Sequence, residues 1–533
     1  MRLLARLLGL SRCRRSSRAT PAVASGTHVA GLEMAGPPDL DVAAISAATL
    51  DLLAAETASS AAKYLIGALA RPPSTQEAAA ALLRSAAVPV LAACAAHGDA
   101  SAACTLELIV YDRLIKAFES PEHYEACFGQ FDHHMHAVGA ARALRASRPM
   151  RSEGCTKLLF YFHYMAADLA HVVLFSDVIS TYVERHPEEA ANIGVVGMTG
   201  DEPAPCLVKL HERHGIPIYV IPVVPALGQY ETAIKALESG GYDRLVVVAT
   251  PVGLGYFTGR LVADQLAWWS MKFEINSFEH LRVRCSFVSG YRRTRAVNGR
   301  LWLEAPPMLG VKGELNPSPN PPPALIEARR MGTVFYTVNR EEKIKNPLFL
   351  DMVARILNAV PQSCFLWTGR TAPHGVVEFF NQRGLAHRQV FVGWIKPDDL
   401  LCSGDIFLDT PVLSGTVAAR AALAGRPVVT LAESHSWVNF FLPAYERERG
   451  SLVAESLDAA VSAAQTLGMS LEAVDADAYV ALAVRLARDG EARACYANAL
   501  CAFGQRYFTG SAQAAEDHIA NLRTPTAAII PAP

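Results

Sequence analysis

The chain has 533 residues, 51% of them hydrophobic, with 49 Lys and Arg against 51 Asp and Glu for a formal net charge of −2. A length of this order divides into roughly three or four domains with ample apolar material for their cores, and the balanced charge excludes a polyanion-binding surface, so no nucleic acid is expected as a partner. The 11 cysteines are scattered, with no CxxC and no paired metal-ligand spacing, which predicts reduced thiols in a cytoplasmic protein rather than disulfides or a zinc site.

Residues 1–38 read as a disordered basic extension. The first 32 residues contain no acid, and MRLLARLLGLSRCRRSSR is basic and weakly amphipathic, with an apolar core too short for a clear secretory signal. A transit-like or membrane-touching segment is the alternative, and Met34 offers a second start. Residues 39–150 are Ala- and Leu-rich, with Pro72, Pro73 and Pro89 as helix breakers and little β-branched clustering, which predicts an all-helical domain. The apolar tract from Ala78 to Ala96 contains Arg84 and Pro89, so it reads as part of that domain and not as a stable membrane span. His133, His134 and His136 follow on a predicted helix; His133 and His136 can share a face, but no third ligand is in register, and no metal is expected there.

From residue 151 to 305 the character changes. KLLFYFHY, NIGVVGM, IPIYVIPVV and RLVVVAT are strand-like runs separated by helical stretches such as Leu169 to Val183 and Glu231 to Ser239. That alternation predicts a parallel sheet covered by helices. Residues 306–326 form a Pro-rich linker, and residues 327–510 a second α/β series: TVFYTVN, a helix from Pro347 to Asn358, SCFLWTG, a helix near Gly375 to Arg383, QVFVGW, DIFLD and VVT. Residues 511–533 supply a closing helix, Ser511 to Arg523, and a tail. Two α/β halves joined by a linker face a cleft, and ligands of open parallel sheets bind outside the carboxyl ends of the strands.

Within the second half, DIFLD reads as a buried strand, and Ser414, Gly415 and Thr416 place small side chains and free N–H groups at the start of an Ala-rich helix. Such a terminus holds an anion through its orphan donors and dipole. Gly425 ends the helix and Pro427 blocks its continuation. Most strand-turn-helix units bind nothing, so the pattern alone does not define a site. Asp39 with Asp41, and Asp475 with Asp477, satisfy the letter of a DxD metal-nucleotide motif, but neither follows a strand and both read as helix-start acids.

The passages VFYTVNREEKIKNPLFLDMVARILNAVPQSCFLWTG, QVFVGWIKPDDLLCSGDIFLDTPVLSG and AGRPVVT resemble, in order and spacing, the catalytic C-terminal half of the O-GlcNAc transferase-like family of GT-B glycosyltransferases. RLVADQ followed by WWSMK is similar to the bacterial cytoplasmic N-glycosyltransferases that glucosylate adhesins, which also carry an all-helical N-terminal domain. The resemblance implies two Rossmann-like halves: residues 151–305 on the acceptor side and 327–510 on the nucleotide-sugar side. It implies inverting transfer of a hexose or N-acetylhexosamine from a nucleotide sugar, usually UDP-linked, to a protein or peptide acceptor. No metal and no cofactor are expected, the nucleotide sugar being a substrate, and homo-oligomerisation is left open.

On the resemblance, Ser414, Gly415 and Thr416 supply donors to the diphosphate, and Lys343 or Lys345 its cation. Asn339 either contacts the nucleotide or caps a turn, and His435 lies where the nucleotide-side loop passes. The family places a ribose-binding acid five residues before the glycine of AGxP; here that position is Arg420, which cannot accept a hydrogen bond. Arg420 either helps bind the diphosphate or marks a chain that has lost catalysis. On the acceptor side, His163, Asp168 and His171 lie near the carboxyl end of the first strand, where a histidine can orient or deprotonate an acceptor. Gln265 and Lys272 are expected to face the cleft, and Trp268 and Trp269 to pack in the core. The alternatives are a GT-B protein with another donor or chemistry, such as an ADP-heptose transferase or a nucleotide-sugar epimerase, and a catalytically decayed binding protein.

Overall fold

The computed structural model of the chain describes residues 41–431, 462 and 473–523, with breaks of more than four residues at 115–120, 143–156, 270–282, 287–292 and 305–314 and shorter ones that include 167–168 and 412–415. The first described element is the helix Val42–Ala55, where the Asp41 carboxylate accepts from the Ala44 amide at 2.9 Å. Asp475 caps the helix Ala476–Arg488 in the same way, so these two acids of the DxD-like pairs are helix-start residues. Helices Ala58–Ala68, Gln76–Leu82, Val88–His97, Ala100–Leu114 and Pro121–Ala140 complete an all-helical unit.

Pro89, expected to break a helix, does not. Leu83–Ala87 widens into a π-helical turn that joins Gln76–Leu82 to Val88–His97. A proline ring crowds the carbonyl four residues back and offers it no N–H, and one widened turn relieves both problems. The stretch Glu77–His97 is the one helix among the described residues long and apolar enough to cross a membrane, yet Leu82, Leu83, Ala86, Val90, Leu91 and Cys94 are fully buried within the protein.

The first sheet contains β1 (Leu158–Phe162), β2 (Ile193–Met198), β3 (Ile218–Ile221), β4 (Arg244–Val248), β5 (Gln265–Trp269), β6 (Val283–Ser286), β7 (Arg293–Val297) and β8 (Arg300–Glu304), in the order β3-β2-β1-β4-β5-β6-β8-β7. All neighbours are parallel except β7 and β8. β1, β2 and β4 are buried at every residue, and alternation divides each between two cores. Leu159, Tyr161, Val196, Leu245 and Val247 join the helical unit and helix Ala226–Ser239 on one face; Leu158, Phe160, Val195 and Val246 join helices Ala170–Arg185, Pro205–His214 and Ala512–Arg523 on the other.

The N-terminal helical unit is therefore one covering layer of the first sheet. The contact is intimate: helix Pro121–Ala140 crosses helix Leu254–Leu261 so closely that a Cβ on Gly259 would lie 2.0 Å from the His136 carbonyl oxygen, and one on Gly139 would lie 2.1 Å from that of Tyr256. His136 Nδ1 bonds the Thr258 hydroxyl at 3.2 Å across this crossing. Helix Ala100–Leu114 adds Glu107, whose carboxylate accepts from the Tyr230 hydroxyl at 2.8 Å and the Gly253 amide at 3.1 Å.

The second sheet contains β9 (Thr333–Thr337), β10 (Ser363–Trp367), β11 (Gln389–Phe391), β12 (Ile406–Leu408) and β13 (Val428–Val429), all parallel in the order β11-β10-β9-β12-β13. That order repeats the first five strands of the other sheet. Helices Pro347–Ala359, Thr416–Leu423, Ala476–Arg488 and Gly490–Tyr507 share its separate core. Helix Ala512–Arg523 then returns to the first half, where Arg523 reaches Glu189 at 2.7 Å and the Tyr182 hydroxyl at 2.9 Å, and the buried Arg244 donates to the Leu522 carbonyl at 2.5 Å. Two Rossmann-like sheets of one strand order, joined by a Pro-rich linker and bridged by a returning helix, make the architecture GT-B.

Candidate functional site

In a parallel sheet of this order, the connections leaving the central strand and its later neighbour run in opposite directions and open a crevice at their carboxyl ends. β1 and β4 form that switch point in the first sheet, β9 and β12 in the second. Most of the candidate residues follow these four strands. His163 comes immediately after β1 and His171 opens the next helix; Asn339 follows β9 by two residues and Lys343 by six; Thr416 begins the helix after β12.

On the second sheet, the acids that bound DIFLD tie the strands together. Asp405 accepts from the Val334 amide at 2.8 Å, and Asp409, fully buried, accepts from the Thr430 hydroxyl at 3.1 Å. Asn339 donates through Nδ2 to Thr337 Oγ1 at 2.8 Å, a side-chain bond at the end of β9. Lys343 is half-buried in the short helix Glu341–Ile344, whereas Lys345 is exposed beyond it. Asn346 caps the following helix by accepting from the Phe349 amide at 3.1 Å.

Helix Thr416–Leu423 has its first turn at the carboxyl end of β12; Ser414 and Gly415, like His435 and Lys272, lie outside the described residues, as does Asp168. Arg420 is described, and it is held within the second half: its Nη2 lies 2.7 Å from Asp398 Oδ1, with Arg420 29% and Asp398 5% exposed. Asp398 and Asp399 open helix Pro397–Ser403 and also hold the end of the linker, accepting from the Asn316 amide at 2.9 Å and the Ser318 hydroxyl at 2.9 Å respectively. Sequence reasoning missed this pair; the signal was present as two acids after Lys396-Pro397, at the first turn of a helix.

On the first sheet, His163 lies at the bend after β1, with Nδ1 sealed from solvent and without a hydrogen-bond partner. Burial pushes its imidazole down to about 4, Asp112 pulls it back up, and the neighbouring His171 pushes it further down. It is therefore neutral at physiological pH and able to accept a proton. Gln265 is placed elsewhere: it opens β5 opposite Leu245 near the start of β4, so its backbone lies at the amino edge of the parallel sheet, away from His163. Trp268 and Trp269 lie in the same strand.

Among the described residues no group of three His, Cys, Asp or Glu is placed to hold a metal ion. The described cysteines are free thiols, of which Cys94, Cys104, Cys127 and Cys364 are buried.

No family model matches the chain, and no curated protein matches it. Solved structures resemble it distantly. A glycosyltransferase from Rickettsia africae is 10% identical over 68% of this chain and 97% of that one, with a TM-score of 0.46. A sucrose-phosphate synthase from Thermosynechococcus elongatus is 15% identical over 69% and 98%, with a TM-score of 0.43. A structure described as a UDP-N-acetylglucosamine 2-epimerase from Listeria monocytogenes is 11% identical over 69% and 95%, with a TM-score of 0.42. The strand order of the two sheets, rather than these likenesses, defines the fold.

Proposed function

We propose that the chain is a metal-independent, inverting glycosyltransferase that moves a hexose or N-acetylhexosamine from a UDP-linked donor to a protein side chain. The observation that carries this reading is the placement of complementary chemistry at the switch points of the two sheets: a neutral, half-buried histidine after β1, and a lysine, an asparagine and a helix N-terminus after β9 and β12.

The reaction needs two things from the protein. The leaving diphosphate gains charge as the glycosidic bond breaks, and donors already pointing at it lower the barrier without reorganising. The start of helix Thr416–Leu423 and Lys343 or Lys345 fill that role. The acceptor must lose a proton as it attacks, and His163 is the base, with His171 beside it. Trp394, 65% exposed after the left-handed turn at Gly393 (φ +72°), offers a ring face at the carboxyl edge of β11 for the nucleobase.

Thermal-shift measurements with UDP-, GDP- and ADP-sugars test the donor class. Stabilisation by a UDP-sugar is expected, and ligand at a hundred times its Kd adds about 2.7 kcal/mol. Lys343→Ala combined with Lys345→Ala is expected to remove that shift while leaving the unliganded melting temperature in place. Transfer is expected to survive EDTA. Absence of stabilisation by every donor, or strict dependence on a divalent metal, would sink the reading.

A further inference from the structure

Helix Leu254–Leu261, which follows β4, carries no cap of its own. The Gly253 carbonyl accepts from the Phe257 amide at 2.9 Å, which makes Gly253 the residue at the helix start. A glycine has no side-chain oxygen for the orphan amides there. The third helical residue is Tyr256, not the Glu or Gln that reaches back to the starting amide in a capping box. The acceptor comes instead from 146 residues earlier in the chain. Glu107, fully buried on helix Ala100–Leu114, accepts from the Gly253 amide at 3.1 Å through one carboxyl oxygen and from the Tyr230 hydroxyl at 2.8 Å through the other.

The turn is closely built around this bond. Gly253 has a left-handed φ of +81°, and a Cβ there would stand 2.9 Å from the Phe257 ring and 3.0 Å from the Tyr230 ring. Further along, a Cβ on Gly255 would stand 2.7 Å from that of Met135, on helix Pro121–Ala140. The helical unit therefore grips helix Leu254–Leu261 at its start by a hydrogen bond and along its length by close packing. What it grips begins at the crevice. β4 ends at Val248, opposite Phe162 at the end of β1, and His163 is the next residue. Gly253 follows Val248 by five residues, so the capped turn and His163 leave adjacent strands at the carboxyl edge, where open parallel sheets bind ligand.

We propose that Glu107 is a cap lent by the helical unit to the helix after β4, and through it a positioning residue for the acceptor side of the crevice. The inference rests on the reading of the first half as the acceptor side. A cap supplied from within the helix would fix only the helix itself. One carried by another unit fixes the helix relative to that unit, so the helical unit sets the geometry of the turn after β4 as well as covering the sheet.

The test combines backbone hydrogen exchange and turnover on the full chain. Glu107→Met removes the acceptor and keeps an apolar body of similar length. It is expected to speed exchange over residues 253–261 about tenfold or more, while helix Ala512–Arg523, on the other face of the sheet, is unchanged. Glu107→Asp withdraws the carboxylate by one methylene and makes the same test in a milder form should the first variant not fold. Glu107→Gln keeps an oxygen for the Gly253 amide, and Tyr230→Phe removes only the other bond of the carboxylate; both are expected to hold exchange there within about threefold of wild type. In turnover of UDP-glucose or UDP-N-acetylglucosamine, Glu107→Met is expected to lower kcat about tenfold with donor KM within about twofold, because the donor binds the other half, and Glu107→Gln to recover most of the loss. Exchange over 253–261 unmoved by Glu107→Met and Glu107→Asp, or raised as much by Tyr230→Phe, would overturn the cap. Faster exchange with kcat intact would overturn the positioning role. Faster exchange in a variant whose wild type turns over neither UDP-sugar would uphold the cap and sink the transferase reading instead.

Discussion

Arg420 and Asp398 face one another across 2.7 Å between the helix that follows β12 and the helix that precedes it. The approach is oblique, since Asp398 Oδ1 has no aligned hydrogen bond, so the contact is coulombic. Oδ2 of the same carboxylate accepts from the Asn316 amide at 2.9 Å, and Lys396 reaches the Asn316 carbonyl. One buried acid therefore joins the candidate phosphate-binding helix to the linker between the two halves. Arg420 is thus a structural tie within the second half.

Removing Arg420 strands that acid. Arg420→Ala is expected to cost about 1 to 3 kcal/mol, below the range for a fully buried pair because the guanidinium reaches solvent. Adding Asp398→Asn should return about 1 kcal/mol relative to the sum of the single changes, because the uncompensated charge is gone. Urea denaturation of the four proteins measures the cycle; additivity within about 0.3 kcal/mol would show that the two residues are not coupled.

The crossing of helices Pro121–Ala140 and Leu254–Leu261 depends on absent side chains. Gly259→Ala puts a methyl 2.0 Å from a backbone carbonyl, which cannot rotate aside. A loss of about 1 to 3 kcal/mol is expected, with earlier proteolysis of the helical unit. Gly129→Ala, in the same long helix but with nothing within 4 Å of the new methyl, should instead stabilise by about 0.5 to 1 kcal/mol. Equal effects at the two positions would refute the close-packing account.

Glu107 makes the same interface sensitive to pH. Burial pushes its carboxyl up to about 8 against the lowering effect of its bonds from Tyr230 and Gly253, with Asp132 raising it further. Its folded value lies above its unfolded one, so between about pH 4.5 and 8 the folded state holds the extra proton. Stability from this group is full below that window and falls as pH rises through it. Glu107→Gln keeps a neutral group there, and the difference in stability between wild type and variant should shift in the variant's favour by a few kcal/mol from pH 5 to 8. A constant difference would mean that Glu107 is ionised throughout.

β1, β2, β4, β9, β10, β12 and β13 were legible because strands buried on both faces are short apolar runs whatever their neighbours do, and the less buried β3 and β11 were legible from their β-branched and aromatic residues. β5 to β8 were not, because QLAWW, VRCS, RTRAV and RLWLE are short and begin with, or carry, polar or charged residues that leave an apolar run of at most four. His163 and Asn339 could be placed on the fold because each follows a readable strand. Asp398 with Arg420 and Glu107 with Gly253 are juxtapositions of distant segments, and no local periodicity carries them. Pro89 misled for a physical reason: a π-turn absorbs in three dimensions what a one-dimensional rule treats as a stop.

On the proposed nucleotide-sugar donor, the presence of Arg420 rather than an acid should be felt at the ribose. A carboxylate accepting from both ribose hydroxyls contributes about 1.5 to 3 kcal/mol per charged hydrogen bond, roughly 10- to 100-fold in affinity, and loses that with a deoxy sugar. Arg420 has no lone pair to offer, and Asp398, 5% exposed, is closed to a ligand by Arg420 and Asn316. Binding of 2′-deoxy-UDP and 3′-deoxy-UDP is therefore expected to stay within about threefold of UDP, as read by calorimetric titration. Arg420→Asp, which places a carboxylate at this position, is expected to widen that ratio toward tenfold if the chain still folds without the Asp398 pair; Arg420→Asp combined with Asp398→Asn removes the buried repulsion and keeps the experiment decisive. A tenfold or larger penalty for either deoxy nucleotide in the wild-type chain would mean that an acid elsewhere has taken over the ribose.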